Sequence, residues 1–149
     1  MFRNILVPTD GTELSRTATL RAVELARKEG AWITFLHVLP ERPASFFGGE
    51  GGMFVEQVSP EDFDAQVNKE IDVFLADAEA AARASDVPFE RVIRRGSSPH
   101  EAIIEEATAR GCDLILMASH GREGMKALVL GSETQKVLAN SKIPVLVYR

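Results

Sequence analysis

The sequence predicts a three-layer α/β/α sandwich built on a five-stranded, mainly parallel, doubly wound sheet. Two observations carry this reading. Five short apolar runs alternate with four longer stretches of helical periodicity, and such alternation belongs to layered α/β folds with a parallel sheet. Several of the runs, LILMA among them, are apolar throughout, as strands covered on both faces must be. A single domain spanning residues 1–149 is the natural count for 149 residues, with residues 40–59 as a loop insert.

Asn4 to Val7 reads as the first strand, ended by Pro8. Thr9, Asp10 and Gly11 make a strand-to-helix turn, and Thr12 caps the helix that follows, with Glu13 in its first turn. Leu14, Ala18, Arg21/Ala22 and Leu25 recur near helical spacing until Gly30 stops the helix. Ile33 to Leu39 is the second buried strand. His37 within it reads as a packed, hydrogen-bonded residue rather than a base or ligand.

The insert that follows carries prolines, glycines and Phe46, Phe47 and Phe54. Either these rings pack over a pocket or a partner chain, or the loop is simply flexible. Pro60 to Ala84 is a long amphipathic helix capped by Ser59, with Pro60 at its first position. Phe63, Val67, Ile71, Phe74/Leu75 and Ala78 form its buried stripe, and its acidic face is expected to be solvated. Phe89 to Arg95 is a charged strand near an edge. Ser98, Pro99 and Glu101 open the third helix, with Ile103, Ile104 and Ala107 facing inward and His100 exposed.

Leu114 to Ala118 is the fourth strand. Ser132 and Gln135 have capping-box spacing, which predicts a helix from Ser132 to about Asn140. Ile143 to Tyr148 is the last strand, with Pro144 at its start. Between the fourth strand and its helix lies a loop containing Gly121, Gly124 and Gly131. The first amides of a helix have no internal partner and the dipole favours an anion there, so phosphate binding and a plain crossover loop both fit. Asp10 stands at the carboxyl end of the first strand, where open parallel sheets bind ligands. Its carboxylate can accept from a ribose or an adenine, or from its own turn.

Composition narrows the classes. The hydrophobic share of 45% suffices for a core, and 26% charged is ordinary. A net charge of −5 argues against general nucleic-acid binding. From Arg91 onward the balance is +3, against −8 before it, and a basic balance near the glycine loop suits an anionic ligand. No apolar run is long enough to span a bilayer, and the N-terminus, broken by Pro8, does not read as a signal peptide; a cytoplasmic location is the expectation. The lone Cys112 excludes an internal disulfide and a cysteine metal cluster, and it reads as a small buried residue. Ser119 beside His120 does not read as a catalytic pair, because neighbours on an extended chain point apart. No metal-ligand spacing is present.

The segment SHGREGMKALVLGSETQKVL, followed by PVLVYR, resembles the C-terminal signature of the universal stress protein family, and NILVPTDGTELS and the HV of the second strand extend the similarity over nearly the whole chain. The nucleotide-binding branch carries Gly-x2-Gly-x9-Gly-(Ser/Thr). Gly121, Gly131 and Ser132 fit, and Ala118 stands where the first glycine would. The resemblance implies strand order 3-2-1-4-5 and an adenine nucleotide, ATP with Mg2+. It implies a site formed by Pro8, Thr9, Asp10, Val38, Met117, Ala118, His120, Gly121, Arg122, Gly131, Ser132, Glu133 and Thr134. In that picture Gly121, Gly131, Ser132 and the Glu133 amide hold phosphates, Asp10 and Val38 hold the nucleoside, and the Glu133 side chain must point away. The resemblance further implies a homodimer through the last strand and a stress-response regulator with at most weak ATP hydrolysis. The alternative is the family's other branch, a dimeric interaction module without nucleotide.

Overall fold

The computed structural model describes residues 1–39, 41, 60–120 and 130–149. The insert with its three phenylalanines, the Ser59 cap and the loop glycines Gly121 and Gly124 with Arg122 lie outside the described residues.

The elements run β1 (Asn4–Pro8), α1 (Glu13–Glu29), β2 (Trp32–Leu39), α2 (Pro60–Ala84), β3 (Phe89–Arg95), α3 (Pro99–Ala109), β4 (Leu114–Ala118), α4 (Ser132–Asn140) and β5 (Val145–Tyr148). They form one sheet of order β3-β2-β1-β4-β5, parallel at every pairing. All carboxyl ends therefore share one edge of the sheet. The order reverses at β1, between β2 and β4, which is where ligand crevices open in such sheets.

Alternation along each strand sends residues to two cores. Ile5, Val7, Ile33 and Phe35 pack with α1 and α2. Leu6, Leu36, Ile115 and Met117 pack with Ile103 and Ala107 of α3 and Val137 of α4. The central strands are buried on both sides, which explains their unbroken apolar runs.

Local chemistry sets most boundaries. Thr12 caps α1 by accepting from the Ser15 amide, and Gly30 ends it in the left-handed conformation at φ 68°. Pro8 keeps its place in the β1 ladder opposite Leu36. Pro144 precedes β5, and its carbonyl accepts from the Ile115 amide.

Four local expectations are corrected. Phe63 is exposed, because α2 meets the core only from Val67 and Ile71 onward. The acidic face of α2 is not merely solvated: Asp64 pairs with Arg95, and Asp72 and Glu79 pair with Arg91. At α4 the cap is Gly131. Its carbonyl already accepts from the Gln135 amide, so Ser132 is helical and the Gln135 side chain donates to the Leu130 carbonyl instead. Ser98 does cap α3 by position but makes no capping side-chain bond; its hydroxyl contacts His100 Nδ1.

Candidate nucleotide site

The carboxyl edge brings together the β1–α1 turn, the end of β2 and the junction of β4 with α4. The turn is tightly bonded. Asp10 Oδ1 accepts from the Thr12 amide at 3.0 Å and from its hydroxyl at 2.7 Å, so the turn role of this carboxylate is realised. The Thr9 hydroxyl meets that of Ser15 at 2.7 Å, and both residues are buried. The Thr9 amide donates to the Leu36 carbonyl, and the Thr9 carbonyl lies 2.7 Å from His37 Nδ1. His37 is thus the hydrogen-bonded residue its context predicts, joining β2 to the turn, with its ring 5.4 Å from that of Phe74. Pro8 and Val38, both half-buried, are on β1 and β2 at this same edge.

Gly11 has φ 79°, and a Cβ there would sit 2.8 Å from Phe74 Cδ1. Only glycine meets both demands.

Across the point where the strand order reverses, Ala118 ends β4 in extended conformation, opposite Tyr148. Asp86 is the sole non-glycine with positive φ among the described residues, so the alanine meets no left-handed penalty. Met117, 6% exposed, is packed in the α3–α4 core. Ser119 is a bend. The chain is no longer extended, and Ser119 Oγ meets His120 Nδ1 at 3.1 Å, contrary to the expectation that the two side chains diverge. Ser119 is nevertheless buried.

Gly131 is pressed against this bend. Its amide donates to the Ser119 carbonyl at 2.7 Å, and a Cβ on it would lie 3.1 Å from His120 Cα. Thr134, buried, donates its hydroxyl to the Ala118 carbonyl. These two bonds fix the start of α4 on the end of β4. The Gly131 amide and the Thr134 hydroxyl are thereby spent inside the protein. Among the described residues no acceptor meets the amides of Ser132 and Glu133, two of the donors a helix start leaves open.

The Glu133 side chain turns away from that start. Its Oε2 accepts from the His100 amide at 2.8 Å and lies 3.1 Å from His100 Nδ1; its Oε1 accepts from Lys136 at 3.1 Å. Burial opposes its ionised form, but the bonds from Lys136 and His100 outweigh that and hold the carboxyl below the usual carboxylate range. His100 is correspondingly not exposed: its side chain is 17% accessible, folded between Ser98 and Glu133. Sequence spacing could not show this pair, which joins residues 33 apart. Two acidic-looking helix starts were its only trace. Cys112 is buried, and burial pushes its thiol up to about 11, as a small core residue rather than a reactive one.

No group of three or more possible metal ligands occurs among the described residues, and no helix there is long and apolar enough to cross a membrane.

The model of the universal stress protein family matches residues 1–149. The chain is 33% identical over 149 residues to universal stress protein YxiE of Bacillus subtilis, covering 100% of both. Among solved structures it is similar to the universal stress protein UspA from Lactobacillus plantarum, with TM-score 0.76, 24% identity and coverage of 99% and 97%. It is also similar to a universal stress protein in complex with cAMP (TM-score 0.69, 22% identity, coverage 99% and 97%). A further match is one from Archaeoglobus fulgidus in complex with dAMP (TM-score 0.65, 20% identity, coverage 99% and 98%). With the expected strand order and a family model matched over residues 1–149, this chain belongs to the universal stress protein family.

Proposed function

We propose that this protein binds an adenine nucleotide in the crevice between the β1–α1 turn and the start of α4, and acts as a dimeric, cytoplasmic, nucleotide-responsive regulator of the stress response. The observation that carries the reading is the pair of open amides on Ser132 and Glu133 at the head of α4, held in place by the Gly131–Ser119 and Thr134–Ala118 bonds. A phosphate there completes the donors and meets the positive end of the helix dipole. Gly131 serves by close approach rather than as a donor. Asp10 and Val38 flank the nucleoside, with Pro8 and Thr9 behind them and His120 on the phosphate side; the roles of Gly121 and Arg122 rest on the family motif alone. The relatives solved with cAMP and dAMP support the adenine class. ATP with Mg2+ is the form we propose, the metal being held by the phosphates.

A second reading, a nucleotide-free interaction module, is favoured by one observation. Packing against Ser119 and His120 accounts for Gly131 without any ligand. Isothermal titration with Mg-ATP, AMP and cAMP separates the two. Saturable heat at or below millimolar concentration supports the site. Its absence for all three, with no nucleotide found by mass spectrometry in the purified protein, removes it.

A further inference from the structure

A glutamate at the second position of a helix has a default use: its carboxylate complements the positive end of its own helix. At the head of α4 that would place a built-in anion on the amides proposed to hold a phosphate. Glu133 does not do this. Its carboxylate spans to α3, accepting from the His100 amide at 2.8 Å and lying 3.1 Å from the His100 imidazole, with Lys136 on its other oxygen. The α3 start has a vacancy for it, because Ser98 caps by position only and its hydroxyl is directed to His100. The α3 helix thus takes as its N-terminal anion a carboxylate supplied by α4.

We propose that Glu133 is a positioning residue for the phosphate site. By docking its carboxylate on the start of α3, it leaves the start of α4 free for a ligand of the same charge. This inference rests on the nucleotide reading above and adds a determinant to it. The consequence is specific to charge. Shortening the side chain by one methylene, in Glu133→Asp, keeps the negative charge but takes it out of reach of His100. Neutralising it, in Glu133→Gln, keeps the length and removes the repulsion.

The experiment is calorimetric titration of the parent, Glu133→Asp and Glu133→Gln with adenosine, AMP, ADP and Mg-ATP. Both substitutions suit a first helical turn, so folding is retained, and far-ultraviolet circular dichroism with a urea midpoint documents it. The expected result is a graded loss in Glu133→Asp: about twofold or less for adenosine, rising to about tenfold or more for the triphosphate, the scale of one nearby like charge at a protein surface. Glu133→Gln is expected to bind the triphosphate at least as tightly as the parent. Three results overturn the inference while leaving the nucleotide site standing. One is equal loss across the series, as a purely structural role would give. Another is a Glu133→Asp that binds every ligand like the parent. The third is a Glu133→Gln that loses the triphosphate while Glu133→Asp keeps it. A parent that binds none of the four removes the nucleotide reading itself, and this inference with it.

Discussion

Gly11 and Gly131 show how differently one residue type can serve a single edge of a sheet. Gly11 is fixed by its own backbone, at φ 79°, and by the Phe74 ring 2.8 Å from where a methyl group would stand. Gly11→Ala therefore meets both a left-handed penalty of about 1–2 kcal/mol and an overpacked contact. Urea unfolding is expected to show a loss of about 2 kcal/mol or more, and a variant within about 0.5 kcal/mol of the parent would refute the packing described. Gly131 has an ordinary φ of −58°, and its constraint comes wholly from the bend at Ser119 and His120. The sequence marks both glycines as turn residues. It cannot tell them apart, because the deciding neighbours, Phe74 for one and His120 for the other, lie far away along the chain. Asp10 is a similar case. Its position at a strand end admitted a ligand or a turn partner, and only the distances to Thr12 show the second in place. Serine followed by histidine misled for another reason: the period-two rule ends where the strand ends, one residue earlier.

At the scale of elements, periodicity and caps located each strand and helix among the described residues, because central strands here are apolar on both faces and helix boundaries carry Thr12, Gly30 and Pro99. What they left out is how the outer elements are attached. Strand β3 is at a sheet edge, and its arginines were legible only as edge charge. In the structure Arg91 reaches Glu79 through Nε at 2.8 Å and through a terminal nitrogen at 2.6 Å, and also pairs with Asp72. Arg83 adds a longer contact to Glu79 at 3.4 Å and stacks over Phe89. Glu79 is only 10% exposed in its side chain, whereas Asp72 is 64% exposed. The Glu79 pairing therefore carries the energy and the Asp72 pairing contributes little. Arg91→Met leaves the buried Glu79 carboxylate with only the longer contact to the exposed Arg83 and is expected to cost about 2–4 kcal/mol. Arg91→Met/Glu79→Leu removes the underpaired charge and is expected to recover most of that loss. Chemical denaturation of the two variants checks it: a double variant no more stable than the single one would show that the pair is held for another reason.

At the scale of the whole molecule, the sheet ends at β5. The Pro144 carbonyl accepts from Ile115 of β4 and the Tyr148 carbonyl from Ser119 just past it, so by alternation the Val145 and Val147 amides face an edge that no other described strand pairs, where Leu146 is exposed. An open apolar edge of this kind invites pairing, and a second copy of the chain is the proposed occupant. Light scattering coupled to size exclusion is expected to give twice the 16.3 kDa chain mass, and Val147→Pro, which removes an outward amide, to give the single mass. A parent that elutes as a monomer at tens of micromolar would remove this assembly. No sequence pattern could reveal the order of the strands, since periodicity is blind to which strand neighbours which; the family resemblance supplied it.

Phe74 links these scales. Its ring rests on Gly11 on one side and beside His37 on the other, while the same helix reaches β3 through Asp72 and Glu79. Close-packed interiors transmit displacement rather than absorb it. Through that one ring the β1–α1 turn bears directly on the helix whose acidic side holds β3, so turn and outermost strand share a single support at the side of the sheet opposite β5.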